Sequence, residues 1–157
     1  MDAMSLLKED HEKVKKILAE LESTTERGVK TREELFTKVK QELVVHEAIE
    51  EEIFYPALKE HPKAKDIVLE GYEEHNVVDM IMGEMEQTPF EDETWGAKAK
   101  VMTENIEHHI EEEEGEMFKQ ARQVFDKAEL LELGARMEER RKTAKAHLEE
   151  EEAARGR

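Results

Sequence analysis

The chain has 157 residues, which suits one domain with a buried core. Its 41 acidic and 24 basic residues give a net charge of −17, which argues against nucleic acid or an anionic membrane surface as a partner. The absence of cysteine excludes disulfides, thiolate metal sites and thiol catalysis. The N-terminus lacks the layout of a signal peptide and no apolar run reaches transmembrane length, so we expect a cytoplasmic protein.

Apolar residues recur at helical spacing along most of the chain and predict five helices. The predicted ranges are about 3–25, 32–59, 63–87, 92–125 and 127–146. Short loops between long helices favour an all-α fold, an up-down-up-down four-helix bundle with an additional C-terminal helix. We therefore expect residues 1–126 to form the bundle. Residues 127–157 are predicted to be a helix packed on the bundle plus a frayed acidic tail.

Four histidines and two glutamates fall on the apolar stripes of the first four helices: His11, His46, Glu50, His75, His109 and Glu113. Each half of the chain contributes one histidine followed, one helix later, by a His-x-x-x-Glu pair. Corresponding residues of the two halves are 63 or 64 positions apart. A histidine and a glutamate four residues apart lie on one helix face, about 5–6 Å apart at Cβ. A duplicated hairpin would bring all six to the bundle centre.

This set has the chemistry of a dinuclear metal site, in which imidazoles bind each metal and carboxylates bridge. One inward histidine is more often a hydrogen-bonded core residue, and one His-x-x-x-Glu pair means little in a chain rich in Glu. The repetition in register favours a metal site, and burying Glu50 and Glu113 without a cation would be unfavourable. A metal-free bundle that serves as an interaction module is the alternative. His108 lies on a polar stripe and is predicted to be on the surface.

The elements His11, His46-Glu-Ala-Ile-Glu50 followed by Glu-Glu-Ile-Phe-Tyr-Pro56, His75 and His109-Ile-Glu-Glu-Glu113 resemble the hemerythrin-like, HHE cation-binding domain over about residues 3–125. The resemblance implies a four-helix bundle around two non-haem irons joined by an oxo- or hydroxo-type bridge. It also implies these ligand positions: His11 and His46 on one iron, His75 and His109 on the other, Glu50 and Glu113 across both.

One position departs from the oxygen-carrying members of that family, which have a fifth histidine one turn after the third-helix ligand. Here the position is Asp79, so reversible oxygen carriage is not expected. Asp79 is either an extra ligand, an acceptor for a ligand histidine, or a solvated helix residue. Glu47 is a further candidate for an extra ligand or for such an acceptor. Tyr72, one turn before His75, could reach the site as a donor or ligand, although core packing also explains it.

Ferritin-like di-iron proteins are the main structural competitor, but their signature is Glu-x-x-His, with Glu first and a spacing of three. Zinc is chemically feasible, whereas a buried, bridged set of His and Glu better fits redox-active iron. We expect a protein that binds or turns over O2, H2O2 or NO, with catalase-like peroxide disproportionation as the favoured reaction. The alternative is an iron- or oxygen-sensing or storage protein without turnover. The sequence leaves open whether it is an enzyme, and any protein partner is unknown.

Overall fold

The computed structural model describes residues 1–155, and every regular element within that range is a helix. The long elements are α1 (Ala3–Glu22), α2 (Val29–Ile49, continuing through Glu50–Phe54 to Tyr55–Lys59), α3 (Lys65–Glu86), α4 (Glu93–Glu112, continuing through Glu113–Met117 to Phe118–Val124) and α5 (Lys127–Arg155). A 3-10 turn, Pro62–Ala64, precedes α3. The predicted all-α class is confirmed. Within residues 1–155, no helix combines the length and apolarity that crossing a membrane requires.

The helices pack as two hairpins, α1 against α2 and α3 against α4, and α1 also contacts α4. The buried apolar side chains form two clusters along the helices. One contains Leu7, Phe54, Phe118 and residues of α5, and the other contains Val14 and Trp95. The predicted metal ligands lie where the two clusters meet along the helices, so apolar side chains pack on both sides of them.

Both His-x-x-x-Glu helices contain a π turn that begins at the glutamate. The backbone N–H of Tyr55 bonds to the carbonyl of Glu50, and that of Phe118 bonds to the carbonyl of Glu113, a spacing of five residues. Such single π turns insert one residue into an α-helix and are frequent at functional sites. The insertion brings the fifth residue after each glutamate, rather than the fourth, onto the face that carries the glutamate.

The C-terminal helix α5 packs on α1 and α2. Gly134 allows the close approach, because a Cβ there would lie 2.8 Å from the Asp2 carbonyl carbon. The helix continues to Arg155, which differs from the expected frayed tail after about residue 146. The Glu152 carboxylate accepts a hydrogen bond of 3.0 Å from Gln41, and His147 pairs with Glu151 at 2.9 Å, so polar contacts support the last turns. The end of the predicted tail, residues 156–157, lies outside the described residues.

Candidate metal centre

The structure brings together all six residues singled out from the sequence, and each of them is buried: His11, His46, Glu50, His75, His109 and Glu113. They come from four helices, with the two His-x-x-x-Glu pairs on α2 and α4. The donor atoms form two groups, in each of which all atoms lie within 4.8 Å of one another. Glu50 belongs to both groups.

The first group consists of His11, His46, Glu50 and Glu113. His11 Nε2 lies 3.0 Å from Glu113 Oε1, and His46 Nε2 lies 3.0 Å from Glu50 Oε1. Even so, both Nε2 atoms, Glu50 Oε2 and Glu113 Oε1 have no hydrogen-bond partner of suitable geometry among the described residues. Buried polar atoms without partners destabilise a fold unless something satisfies them. Two imidazole nitrogens and two carboxylate oxygens facing one small volume fit a divalent metal ion.

The second group consists of Glu50, His75 and His109. His75 Nε2 lies 3.0 Å from Glu50 Oε1, the same oxygen that faces His46. Glu113 also reaches this group, since its Oε2 lies 3.2 Å from His109 Nε2 while its Oε1 faces His11. Both glutamates therefore have histidines of both hairpins as neighbours, which is the placement that bridging carboxylates require.

Tyr55, the residue that the π turn of α2 places on this face, reaches into the second group. Its hydroxyl donates a hydrogen bond of 2.7 Å to Glu113 Oε2 and lies 3.3 Å from His109 Nε2. Its ring stacks on His75 at a centroid distance of 5.4 Å. Burial raises the pKa of Tyr55 well above its usual range, and the Glu113 carboxylate raises it further, so the hydroxyl stays protonated. Gly71 provides the space, because a Cβ there would lie 2.9 Å from the hydroxyl oxygen.

Every one of the four histidines also has a carboxylate at its outer nitrogen, Nδ1. The pairs are His11 with Glu114 at 2.6 Å, His46 with Asp10 at 3.0 Å, His75 with Glu51 at 2.7 Å and His109 with Glu74 at 2.7 Å. A carboxylate that accepts the Nδ1–H fixes the ring orientation and leaves the Nε2 lone pair for a metal. We call Asp10, Glu51, Glu74 and Glu114 the outer carboxylates.

The outer carboxylates repeat with the same offset as the inner residues. Asp10 and Glu74, 64 residues apart, each precede the first histidine of a hairpin and bind the second histidine of the same hairpin. Glu51 and Glu114, 63 residues apart, each follow a central glutamate and bind the first histidine of the other hairpin. The duplication therefore extends beyond the predicted ligands to the groups that orient them.

The protonation of the metal-free site follows from these contacts. Burial alone would lower the pKa of His75, but its bonds to Glu50 and Glu51 raise it to about 9. Burial likewise opposes the charge on His109, whose pKa is nevertheless raised to about 10 by Glu113 and Glu74. Without a metal, both rings are protonated on both nitrogens at neutral pH and carry a positive charge. A metal ion must therefore displace protons in order to bind.

The three additional candidates from the sequence lie further from the inner nitrogens. Asp79 is exposed and lines, together with Glu47, a surface groove between α2 and α3. The Tyr72 hydroxyl donates to the Glu51 backbone carbonyl at 3.3 Å, and its ring packs on Tyr55. Glu47 Oε1 lies 3.8 Å from His75 Nδ1, on the outer side of that ring. The structure thus brings Glu47 to the periphery and leaves Asp79 and Tyr72 outside the ligand groups.

His108 points away from the centre, and its side chain is 65% exposed. It lies 3.5 Å from Glu112 and 3.9 Å from Glu74 on the surface of the second hairpin. Its neighbour His109 faces inward, as the register of the apolar stripe predicts.

Tyr55 and the four outer carboxylates are not among the site residues predicted from the sequence. The 63- and 64-residue offsets could have found the carboxylates, because Asp10 pairs with Glu74 and Glu51 with Glu114 under the same repeat. Tyr55 could not be found from α-helical periodicity, since it reaches the site through a π turn.

Comparison with known proteins defines the class. The family model of the hemerythrin HHE cation-binding domain matches residues 2–121, and the chain belongs to this family. A crystal structure of a hemerythrin HHE cation-binding domain-containing protein from Mycobacterium kansasii is similar over 100% of this chain and 95% of that one, with a TM-score of 0.86 and 26% sequence identity. No curated protein sequence gave a significant match. The fold is therefore hemerythrin-like, and its buried His and Glu cluster can hold metal cations.

Proposed function

We propose that the chain is a non-haem di-iron protein that binds or turns over a small oxidant: O2, H2O2 or NO. His11 and His46 would hold one iron, and His75 and His109 would hold the other. Glu50 and Glu113 would bridge the two irons, together with an oxo or hydroxo group. The observation that carries the proposal is the set of four buried imidazoles, each with Nε2 facing the centre and Nδ1 on a carboxylate. The set comprises nitrogen and oxygen donors only, a mixture that iron binds well.

The size of the cavity beside the histidines supports a small ligand. It has a volume of about 30 Å³ and is lined by the four site histidines, by Glu47 and Glu74, and by apolar side chains such as Val14 and Ile106. Such a space holds a water molecule or a similarly small species. Its apolar side chains and carboxylates disfavour an anionic ligand. A diatomic gas or peroxide fits both conditions, whereas an organic substrate would require the helices to separate.

Peroxide disproportionation is the reaction we propose if the site is catalytic. One H2O2 would be reduced to two waters by two electrons and two protons, and the oxidation of a second H2O2 to O2 would return them. A bound pair of irons would supply this two-electron redox chemistry. The chain's own contribution is to position protons. Tyr55 holds a hydroxyl proton 2.7 Å from Glu113 and close to His109. By turning this proton away from Glu113, Tyr55 could donate a hydrogen bond to a peroxide beside His75 and His109.

Oxygen evolution from peroxide tests this reaction. The iron-loaded protein should evolve O2 well above an equal concentration of free iron, and Glu113→Ala should remove this activity. Glu111→Ala, an exposed glutamate two residues away, is the matched control and should retain it. If iron-loaded wild-type protein evolves no more O2 than free iron, catalase-like turnover is wrong. Binding, sensing or storage of the same small species would then be the function of the site.

The proposal also includes the arrangement of the chain. Residues 1–126 would form an up-down-up-down four-helix bundle that encloses the irons, and residues 127–157 a C-terminal extension packed on it. A cytoplasmic location, where iron and a reductant are available, is part of the same proposal. The contacts of α5 with α1 and α2 support the packing.

A further inference from the structure

The C-terminal helix contacts the metal centre through one side chain. Arg141 Nη2 donates a hydrogen bond of 2.9 Å to Asp10 Oδ1. The other oxygen of Asp10 lies 3.0 Å from His46 Nδ1. A continuous polar chain therefore runs from Arg141 on α5, through Asp10 on α1, to His46 on α2. Arg141 lies beyond residues 2–121, the part of the chain that matches the family model.

Asp10 differs from the other three outer carboxylates in two respects. Its side chain is only 5% exposed, whereas Glu74, Glu114 and Glu51 are 25%, 26% and 38% exposed. Among the described residues, it is also the only outer carboxylate that forms an ion pair with a lysine or arginine. Its counterpart Glu74 instead lies beside His108 and Glu112 at the surface. The solvent that stabilises Glu74 is replaced at Asp10 by a guanidinium group.

This replacement has a physical consequence for His46. Arg141 fixes one carboxylate oxygen of Asp10 through its hydrogen bond, so Asp10 without Arg141 would be free to turn towards solvent. That movement removes the fixed acceptor of the His46 Nδ1–H. The ring would then lose the orientation that directs its Nε2 to the centre. Groups that orient a ligand in this way typically change metal affinity by about 10- to 100-fold when they are removed.

We propose that Arg141 is a positioning residue of the metal centre, which holds Asp10 and thereby orients His46. The C-terminal helix is then part of the centre and makes the position at His11 and His46 dependent on α5. This inference rests on the proposed metal site, although it holds for any divalent ion bound there.

The adjacent arginine offers a matched control. Arg140 lies on the same helix and donates hydrogen bonds of 3.0 and 3.2 Å to Glu52, but this pair is on the surface and reaches no site histidine. The apolar anchors of α5, Leu130, Leu133 and Met137, are separate from both arginines. Arg141→Met and Arg140→Met should therefore leave the helix docked, while only the first removes the cation from Asp10.

The test is titration of the metal-free full chain with Co²⁺ in competition with a chelator, together with the visible spectrum of the bound cobalt. Wild-type protein should bind about two ions. Arg141→Met should bind one of them about 10- to 100-fold more weakly, with an altered cobalt spectrum. Arg140→Met should match wild type, and Arg141→Lys, which keeps the charge, should recover part of the affinity. Asp10→Asn should weaken the same ion, and adding Arg141→Met to it should cause little further loss.

The outcomes separate the two proposals. If wild-type protein binds no metal, the metal centre itself is wrong and the role of Arg141 falls with it. If wild-type protein binds two ions and Arg141→Met binds both equally well with an unchanged spectrum, the role of Arg141 is wrong and the centre stands. Equal losses in Arg141→Met and Arg140→Met, or additive losses in the double variant, would likewise overturn it. Should Arg141→Met fail to fold, Arg141→Lys and Asp10→Asn provide the same comparison.

Discussion

The two hairpins contribute the same inner residues but different surroundings. In the first, the outer carboxylate Asp10 is buried and paired with Arg141. In the second, the corresponding Glu74 faces a surface groove beside His108. The residues after the two π turns also differ, since Tyr55 stacks on His75 whereas its counterpart Phe118 stacks on His11 without a hydroxyl.

With these differences, the duplicated scaffold would give the proposed centre two unequal metal positions. In the proposed centre, the bridging and ligand residues repeat because both metal positions would need the same donor set. The groups around them are free to differ, and they set the orientation, charge and hydrogen bonding of each position. The position at His11 and His46 is enclosed by α5. The position at His75 and His109 has the Tyr55 hydroxyl, so we expect the oxidant to bind there.

Removal of a bridging carboxylate should have the largest effect, because it belongs to both halves. Glu113 lies 3.0 Å from His11 and 3.2 Å from His109, so Glu113→Ala should reduce bound iron from about two ions per chain to nearly none. Elemental analysis after iron loading measures this, with Glu111→Ala as the exposed control. Retention of two ions by Glu113→Ala would contradict the bridging role.

Removal of one histidine should affect only its own half. His109→Ala should lower the iron content by about one ion per chain, because the position at His11 and His46 keeps its ligands. His108→Ala should change nothing, since that side chain is 65% exposed and faces away from the centre. The same elemental analysis applies. Equal metal loss in both variants would disprove the assignment of His109 as the ligand.

Exchange of Tyr55 and Phe118, the residues that follow the two π turns, should reverse which half of the site offers a hydroxyl group. Tyr55→Phe should keep both metals but weaken binding of NO or peroxide by about tenfold, because a hydrogen bond to a charged site is lost. Phe118→Tyr tests whether a hydroxyl can serve the first half in the same way. Binding titrations followed by absorption spectra measure the effect. An unchanged affinity in Tyr55→Phe would show that the hydroxyl does not touch the ligand.

A substitution that fills the space beside Tyr55 should lower ligand affinity less than Tyr55→Phe does. Gly71→Ala places a methyl group 2.9 Å from the hydroxyl oxygen, so the tyrosine must shift. We expect metal content to stay at the wild-type level and ligand affinity to fall by less than in Tyr55→Phe. Gly83→Ala on the same helix is the control, because a Cβ there meets nothing within 4 Å. Identical ligand binding by Gly71→Ala and Gly83→Ala would argue against a precise position for the hydroxyl.

The stability of the metal-free protein should depend on pH through histidines of both halves, because, in spite of its burial, Glu50 and Asp10 also raise the pKa of His46 well above its usual range. The pKa values of His75 and His109, about 9 and about 10, lie above the unfolded value of roughly 6.5. Their protonation therefore stabilises the fold fully below pH 6.5, and this contribution is lost as pH rises through 9 and 10, by an amount on the order of a few kcal/mol. Metal binding should show the opposite trend and tighten with pH. Urea unfolding of metal-free protein at pH 6 and pH 10 checks the sign, and higher stability at pH 10 would contradict it.

The inner site was predictable because each of its residues satisfies two conditions at once. Each lies on an apolar stripe, and each has a counterpart 63 or 64 residues away. The additional candidates Glu47, Asp79 and Tyr72 fail the second condition. The residues 63 or 64 positions away from them are Ile110, Lys15 and Lys8, which share neither charge nor chemistry with them. The structure places the carboxylates that do have counterparts, such as Asp10 and Glu74, at the histidines instead.

Other features depend on tertiary contacts that periodicity does not contain. The π turns shift the register by one residue, so Tyr55 replaces Phe54 on the site face. The contact of Arg141 with Asp10 spans 131 residues, and no local pattern indicates it. The course of α5 beyond residue 146 likewise depends on contacts with α2, such as that of Glu152 with Gln41.

We propose that the chain holds a pair of irons, one in each half of the site. Anaerobic titration of the metal-free full chain with Fe²⁺, with bound iron counted per chain by elemental analysis, tests it most directly. Saturation is expected at about two irons for wild-type protein and at about one for His109→Ala. Saturation of wild-type protein at one iron or none would contradict the paired centre.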